Sequence, residues 1–210
     1  MLETEIGVTC QENEMLKRVH LRAVVFFLCA ALFGGVTQEG QKSDNKPALP
    51  AKYEATAFDQ TGALGSSFGL TIYVTGLSSE AQIRELRGVL KEKGQDGLVN
   101  ALQKMKDQGR LSSTGGTGYG MRLATMLPKK EGGYHIVLVT VTPINFLQGA
   151  SSERSRDYPL GIVVLDVDKD GKGSGVLAPA CSLKINEKDE LEMERYGEKP
   201  YRLENVYLRK

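Results

Sequence analysis

Tyr134-His135-Ile136-Val137-Leu138-Val139-Thr140-Val141-Thr142, stopped by Pro143, is almost continuously apolar and rich in β-branched side chains. The run is too short for an ordinary core helix and lacks the alternation of a half-solvated strand, so it predicts a strand buried on both faces. Pro128-Lys129-Lys130-Glu131-Gly132-Gly133 reads as a turn that joins it to Tyr119–Leu127 in a hairpin. In that earlier arm Tyr119, Met121, Leu123, Thr125 and Leu127 alternate with Arg122, Ala124 and Met126. Downstream, Leu160–Val167 is another nearly all-apolar strand, and Asp168–Gly175 turns it into Val176–Ile185. There Cys181, Leu183 and Ile185 share what should be the inner face, and Pro179 makes the strand an edge or a broken one. Glu187-Lys188-Asp189 turns again, Leu191 and Met193 face inward, and Tyr201–Leu208 closes the meander.

Upstream, Lys52–Phe58 and Leu70–Thr75 read as strands on either side of a Gly/Ser-rich loop, Asp59–Gly69. Ser79-Glu80-Ala81-Gln82 fits a capping box, in which the serine hydroxyl and the glutamine amide satisfy free backbone amides reciprocally. Ile83, Leu86, Val89 and Leu90 follow at helical spacing, and Gly94 fits a left-handed cap. Gln95-Asp96 starts a second helix, striped by Leu98, Val99, Leu102 and Met105 and ended by Gly109. So short a link predicts an antiparallel helical hairpin with its apolar stripe on the sheet. The fold class is α+β: a curved, mostly antiparallel sheet or partly closed barrel of about eight strands, with one helical hairpin over residues 79–108 packed on it.

At the N-terminus, Lys17, Arg18 and Arg22 precede the apolar segment Ala23–Val36, the layout of a secretory signal peptide. The segment is short for a membrane span, which takes about 20 residues. Residues 1–37 are therefore expected to be removed, with residues 1–14 candidates for a mis-assigned start because Met15 gives a signal of more usual shape. Residues 38–51, polar and holding Pro47 and Pro50, read as a disordered tether, and residues 52–210 as one α+β domain. The expected localisation is secreted or periplasmic, with membrane contact only through the signal segment. Cleavage leaves Cys181 as the one cysteine and His135 as the one histidine, which excludes an internal disulfide and a His/Cys zinc site. With 27 basic against 26 acidic residues, nothing points to nucleic acid. Hydrophobic residues make up 40%, enough for a core that does without disulfides.

Together, the signal segment, LSSEAQIRELRGVLKEKGQDGLVNALQKM from Leu77, an apolar hairpin, DYPLGIVVLDVDKDGKGSGVLAPA from Asp157 and LEMERYGEKPYRLENV from Leu191 resemble a group of uncharacterised exported bacterial proteins. The resemblance covers most of residues 70–208 and implies a secreted protein with no functional residues to carry across. Its two recurrent-looking elements, Gly94-Gln95-Asp96-Gly97 and Asp157-Tyr158-Pro159, are explained by turn and capping chemistry.

Several motifs touch on chemistry. Asp166-Val167-Asp168-Lys169-Asp170-Gly171 begins like a calcium loop, but the twelfth position, which should supply two oxygens from a glutamate, is Leu177, and strands flank it. An Asp-Gly hairpin turn explains it better. Gly65-Ser66-Ser67-Phe68-Gly69 matches the nucleophile elbow in letters, yet it leads into a strand where the elbow needs a helix. Cys181 reads as a buried, inert thiol and His135 as a strand residue. Gly115–Gly120 lacks the Lys-Ser/Thr of a phosphate loop and reads as a flexible link. Glu190, Glu192 and Glu194 read as the charged face of an edge strand. The function that fits best is an exported, non-enzymatic binding or interaction module whose partner is a small hydrophobic ligand or another envelope protein. A hydrolase using Ser67 or Cys181 with His135 stands second, and a calcium-stabilised structural protein using Asp166, Asp168 and Asp170 third. No other cofactor is expected.

Overall fold

A computed structural model of the protein describes residues 47–59, 67–114, 116, 118–144, 157–195 and 200–209. The expected signal segment and most of the tether lie outside the described residues. The elements are β1 (Ala51–Phe58), β2 (Ser67–Val74), α1 (Glu80–Gln103), β3 (Gly109–Ser113), β4 (Gly118–Met121), β5 (Leu123–Pro128), β6 (Tyr134–Thr140), β7 (Leu160–Val167), β8 (Lys172–Ile185), β9 (Leu191–Arg195) and β10 (Tyr201–Arg209). All strand pairs are antiparallel, in the order β4-β3-β2-β1-β10-β8-β7-β6-β5, with β9 added to β8.

The two ends of that order, β4 and β5, are consecutive stretches of chain. The first pairs with β3 and the second with β6, and the Arg122 amide between them donates to the Val139 carbonyl at 2.8 Å. One interrupted strand therefore serves both edges, and the sheet wraps into a nearly closed barrel. The interruption corrects the expected alternation of Tyr119–Leu127. Met121 points into the barrel, and so do Ala124 and Met126, while Leu123 points out. An irregular residue reverses the parity of everything after it.

The described residues hold ten strands, against about eight expected, because Gly109–Ser113 is a strand and the Tyr119–Leu127 run divides in two. In sequence Gly109 ends the second helix and the stretch after it shows no strand pattern, since Leu111 is its one apolar residue. Mostly sheet, the domain fits the α+β label only loosely. At the other end, β2 begins at Ser67, inside what was expected to be loop.

β6 is buried along its whole length, as its composition predicts. Tyr134, Ile136 and Leu138 join the barrel core with Tyr53, Ile72 and Leu165; Val137 and Val139 face outward into a second apolar cluster beneath α1. β7 divides its side chains the same way.

β8 runs through Pro179 without ending. Before it, residues 172–177 pair with β10; after it, Cys181–Ile185 pair with β9. Proline, which has no amide to donate, thus sits where the strand changes partner, and the β7 register shifts opposite it. Cys181 is fully buried, as expected, but on the outward face beneath α1 instead of inside the barrel. On the solvent side Lys184 pairs with Glu194 and, at 3.7 Å, with Glu192, so part of the glutamate row on β9 is neutralised.

Candidate functional site: the groove under the helical hairpin

Ser79 caps α1 through a full capping box: its hydroxyl accepts from the Gln82 amide at 3.2 Å, and the Gln82 side chain accepts from the Ser79 amide at 2.8 Å. At Gly94 the backbone leaves the helical region, with φ 64° and ψ −161°. The positive φ matches the expectation, but the ψ belongs to an extended conformation almost restricted to glycine, outside the left-handed helical well.

The chain doubles back there. Ser78 exchanges two hydrogen bonds with Ala124, its amide donating to the carbonyl at 2.8 Å and its hydroxyl accepting from the amide at 3.3 Å. Arg122 donates to the Met105 carbonyl at 2.7 Å. Both ends of the helical segment thus meet the interrupted β4–β5 strand within two residues of each other, whereas a straight helix over Glu80–Gln103 would hold them about 36 Å apart. At the turn, the Gln95 side chain accepts from the Leu183 amide at 2.7 Å and ties the hairpin tip to β8.

Between the two arms and the barrel wall lies an open groove with an enclosed volume of about 40 Å³. Ile83, Leu86 and Leu90 come from the first arm, Leu98 and Leu102 from the second. Leu123, Thr125, Val139, Leu183 and Leu191 form the floor. An enclosed space of about 40 Å³ takes the end of a short apolar chain and leaves no room for a long lipid.

Two polar side chains border this apolar space. Thr125, on the floor, is 5% exposed, and its hydroxyl has no hydrogen-bond partner within the protein. Arg87, at the rim, is held by Asp189 of the β8–β9 turn, donating to its carboxylate and, at 3.0 Å, to its carbonyl oxygen. Lys91 donates to the same carboxylate at 2.8 Å. That hydrogen bond first, and the Arg87 charge after it, hold the Asp189 carboxyl below its ordinary range. Asp189 adopts φ 62°, a conformation aspartate tolerates better than most residues. The turn is thereby bent so that both its backbone and its side chain reach the hairpin.

The residues singled out from sequence lie elsewhere. His135 is buried on the outward face of β6, with Nδ1 3.5 Å from an Asp166 oxygen, and Lys129 also bonds Asp166. Burial holds the imidazole below its ordinary pKa, with the Asp166 charge opposing. No spacing in the sequence marks an acid beside His135; the β6–β7 register supplies Asp166. Ser174 lies across from Asp166 on β8. This row runs His–Asp–Ser, with the acid in the middle, and the histidine is two strands, roughly 10 Å, from the serine. A nucleophile–base relay needs the histidine in the middle.

Cys181 and His135 do not meet. They pair with Leu160 and Asp166 of the same strand, and 166 − 160 = 6 residues of strand amount to roughly 20 Å. The Cys181 sulfur donates to the Leu160 carbonyl oxygen at 3.4 Å, and burial pushes the thiol up to about 12. Cys181 is expected to resist iodoacetamide in the native protein at pH 8 and to react once guanidinium unfolds the barrel. Mass spectrometry of the alkylated chain reads this out, and labelling of the native protein at the rate of free cysteine would contradict it. Ser67 pairs with Phe58 at the start of β2, which by the shorter route reaches β6 only through β3 and the β4–β5 strand.

The three aspartates do not converge. Asp166 is paired with Lys129, Asp168 accepts from the amides of Asp170 and Lys172 across the turn, and Asp170 is exposed. No group of three potential metal ligands exists among the described residues. Thr125 borders the groove with its hydroxyl oxygen buried and carries no special signal in sequence, because threonine is an ordinary strand former. Comparison with protein-family models, with curated proteins and with solved structures found no match.

Proposed function

We propose that this protein is an exported, non-catalytic module that holds a small apolar molecule in the groove between its helical hairpin and the barrel wall. The groove carries the proposal. It is built from Ile83 and leucines of two helical arms and mostly apolar side chains of four strands, and it lies over a wall whose inner face is already packed. Sites for small molecules are typically concave and apolar, with few polar groups to set orientation. Export rests on the basic flank and apolar segment of residues 17–36.

The test is a titration of the methyl-labelled protein with 1-chlorohexane, followed by NMR. Saturable shifts are expected at Ile83, Leu86, Leu98, Leu102 and Val139, with the methyls of the barrel core unmoved. Shifts that never saturate, or that spread evenly over core and surface, would remove the groove as a binding site.

A further inference from the structure

We propose that the outer wall of the barrel at β1, β2, β3 and β10 is a second binding surface, which takes an anionic polysaccharide, a chain of uronic-acid sugars. The surface uses none of the residues of the groove, and the export reading enters only in choosing among polyanions.

Strand register builds it. Arg110 of β3 pairs with Tyr73 of β2, Tyr73 with Lys52 of β1, and Lys52 with Arg209 of β10. Paired residues point to the same side of a sheet, and the adjacent Tyr53, Ile72 and Leu111 point into the barrel core, so this row faces outward. It crosses four strands, roughly 14 Å. The next outward row is Ser112, Thr71, Glu54, Tyr207 and, at the start of β8, Lys172. Tyr73 and Tyr207 are exposed, and the Lys52 ammonium lies 5.7 Å from the centre of the Tyr73 ring.

In these two rows four cations stand against one carboxylate. That carboxylate, Glu54, accepts from the Tyr207 hydroxyl, from Lys52 at 3.0 Å and from Arg209 at 2.9 Å. These bonds, Tyr207 first, hold the Glu54 carboxyl down to about 2, so the face already favours an ionised carboxylate. Arg110 and Lys172, toward either side, are exposed and form no ion pair among the described residues. Acids nearby are engaged elsewhere: Asp107 bonds Arg122 at 3.2 Å, and Asp168 accepts from the amides of Asp170 and Lys172. Farther along β10, Arg202 and Glu204 pair with each other at 2.9 Å.

An exposed charge gains little from one small anion in water. A polymer that lays several carboxylates along the row gains from each at once. The tyrosine rings offer flat apolar faces to sugar rings, and the Thr71 and Ser112 hydroxyls between the cations can bond sugar hydroxyls. A lipid surface fits less well, because neither row presents a leucine, isoleucine or phenylalanine to enter it. Outside the cell, a sugar polymer is the polyanion within reach.

The experiment is a calorimetric titration of the protein with decagalacturonate at low salt, beside a neutral dextran oligomer, a single-stranded DNA oligomer and phosphatidylglycerol vesicles. Decagalacturonate should bind saturably, and about 0.5 M salt should weaken it at least about tenfold. Arg110→Gln with Lys172→Gln should weaken it about tenfold, and Tyr73→Thr at least about threefold. Glu54→Gln, which removes the one carboxylate, should tighten it about threefold. Arg84→Gln, an equal loss of charge on the exposed side of α1, should leave it unchanged. The double variant replaces only exposed side chains, and an unchanged melting temperature confirms that it folds.

No saturable binding of decagalacturonate would overturn the proposal. So would Arg84→Gln weakening it as much as Arg110→Gln does, since net charge alone would then explain the attraction. Dextran binding equally well would overturn the role of charge. DNA or vesicles binding more tightly than decagalacturonate would overturn the sugar polymer as occupant. None of these outcomes bears on the groove, which its own titration with 1-chlorohexane decides.

Discussion

Gly133→Ala is expected to destabilise the protein by at least about 3 kcal/mol. Gly133 closes the β5–β6 turn at φ 88°, in the region that side-chain-bearing residues rarely occupy. Its carbonyl accepts from the Lys129 amide at 3.0 Å, and the next residue, Tyr134, begins β6 opposite Val167. A Cβ at Gly133 would run into the Val167 carbonyl oxygen and lie 2.6 Å from the Asp168 backbone. These are backbone atoms of the adjacent strand and cannot rotate away. Relief requires β6 to move against β7, and β6 lines both the barrel core and the groove. Gly132→Ala is the control. Gly132 also has a positive φ, 91°, but its nearest atom is the Lys169 Cβ at 4.0 Å, so it carries the conformational cost alone, about 1–2 kcal/mol. Urea unfolding of the two variants separates strain from collision. Equal losses would mean that β7 yields at no cost and that the close approach at Gly133 has no energetic weight.

The contrast between these neighbouring glycines marks a limit of what sequence can carry. Two glycines after Pro128-Lys129-Lys130-Glu131 announce a turn, but which of them lies against a neighbouring backbone depends on a strand that arrives more than twenty residues later. Local patterns with a strong period were legible: β6 and β7 as doubly buried strands, the capping box at Ser79, the turn between the helical arms, and the outward glutamates of β9. What failed was local regularity overridden by closure. The run Tyr119–Leu127 alternates well in sequence, yet the barrel needs that strand to leave β3 and join β6, and Arg122 absorbs the change. β3 is nearly invisible because its pairing with β2, not its composition, makes it a strand. At the site, the apolar stripes of both arms place the helical hairpin on the sheet, which is where the groove lies. Asp166 beside His135, and the Asp189 turn holding Arg87, depend on cross-strand register and a bent backbone, which no spacing rule reveals.

Leu102→Ala is expected to cost about 2–4 kcal/mol and, unusually for a core truncation, to improve binding of a longer ligand. Leu102 is 2% exposed, on the second arm of α1, and lines the groove. The cost of such a truncation depends on how far the surroundings collapse into the space left behind. Here collapse is opposed at three points. Ser78 is tied to Ala124 at the start of the first arm, Met105 to Arg122 after the second, and Gln95 to Leu183 at the tip. A hairpin pinned at both feet and its turn cannot settle by sliding, so the space should persist, and the cost should fall in the upper part of that range. Persistence has a functional consequence. The enlarged groove should bind 1-chlorooctane more tightly than the wild type does, and ligand should return part of the lost stability by mass action. Urea unfolding with and without 1-chlorooctane, beside the methyl titration, reads both effects. A loss below about 1.5 kcal/mol together with weaker 1-chlorooctane binding would show that the arms do close over the gap. The groove would then be an accident of packing, not a space that the hairpin's three attachments hold open.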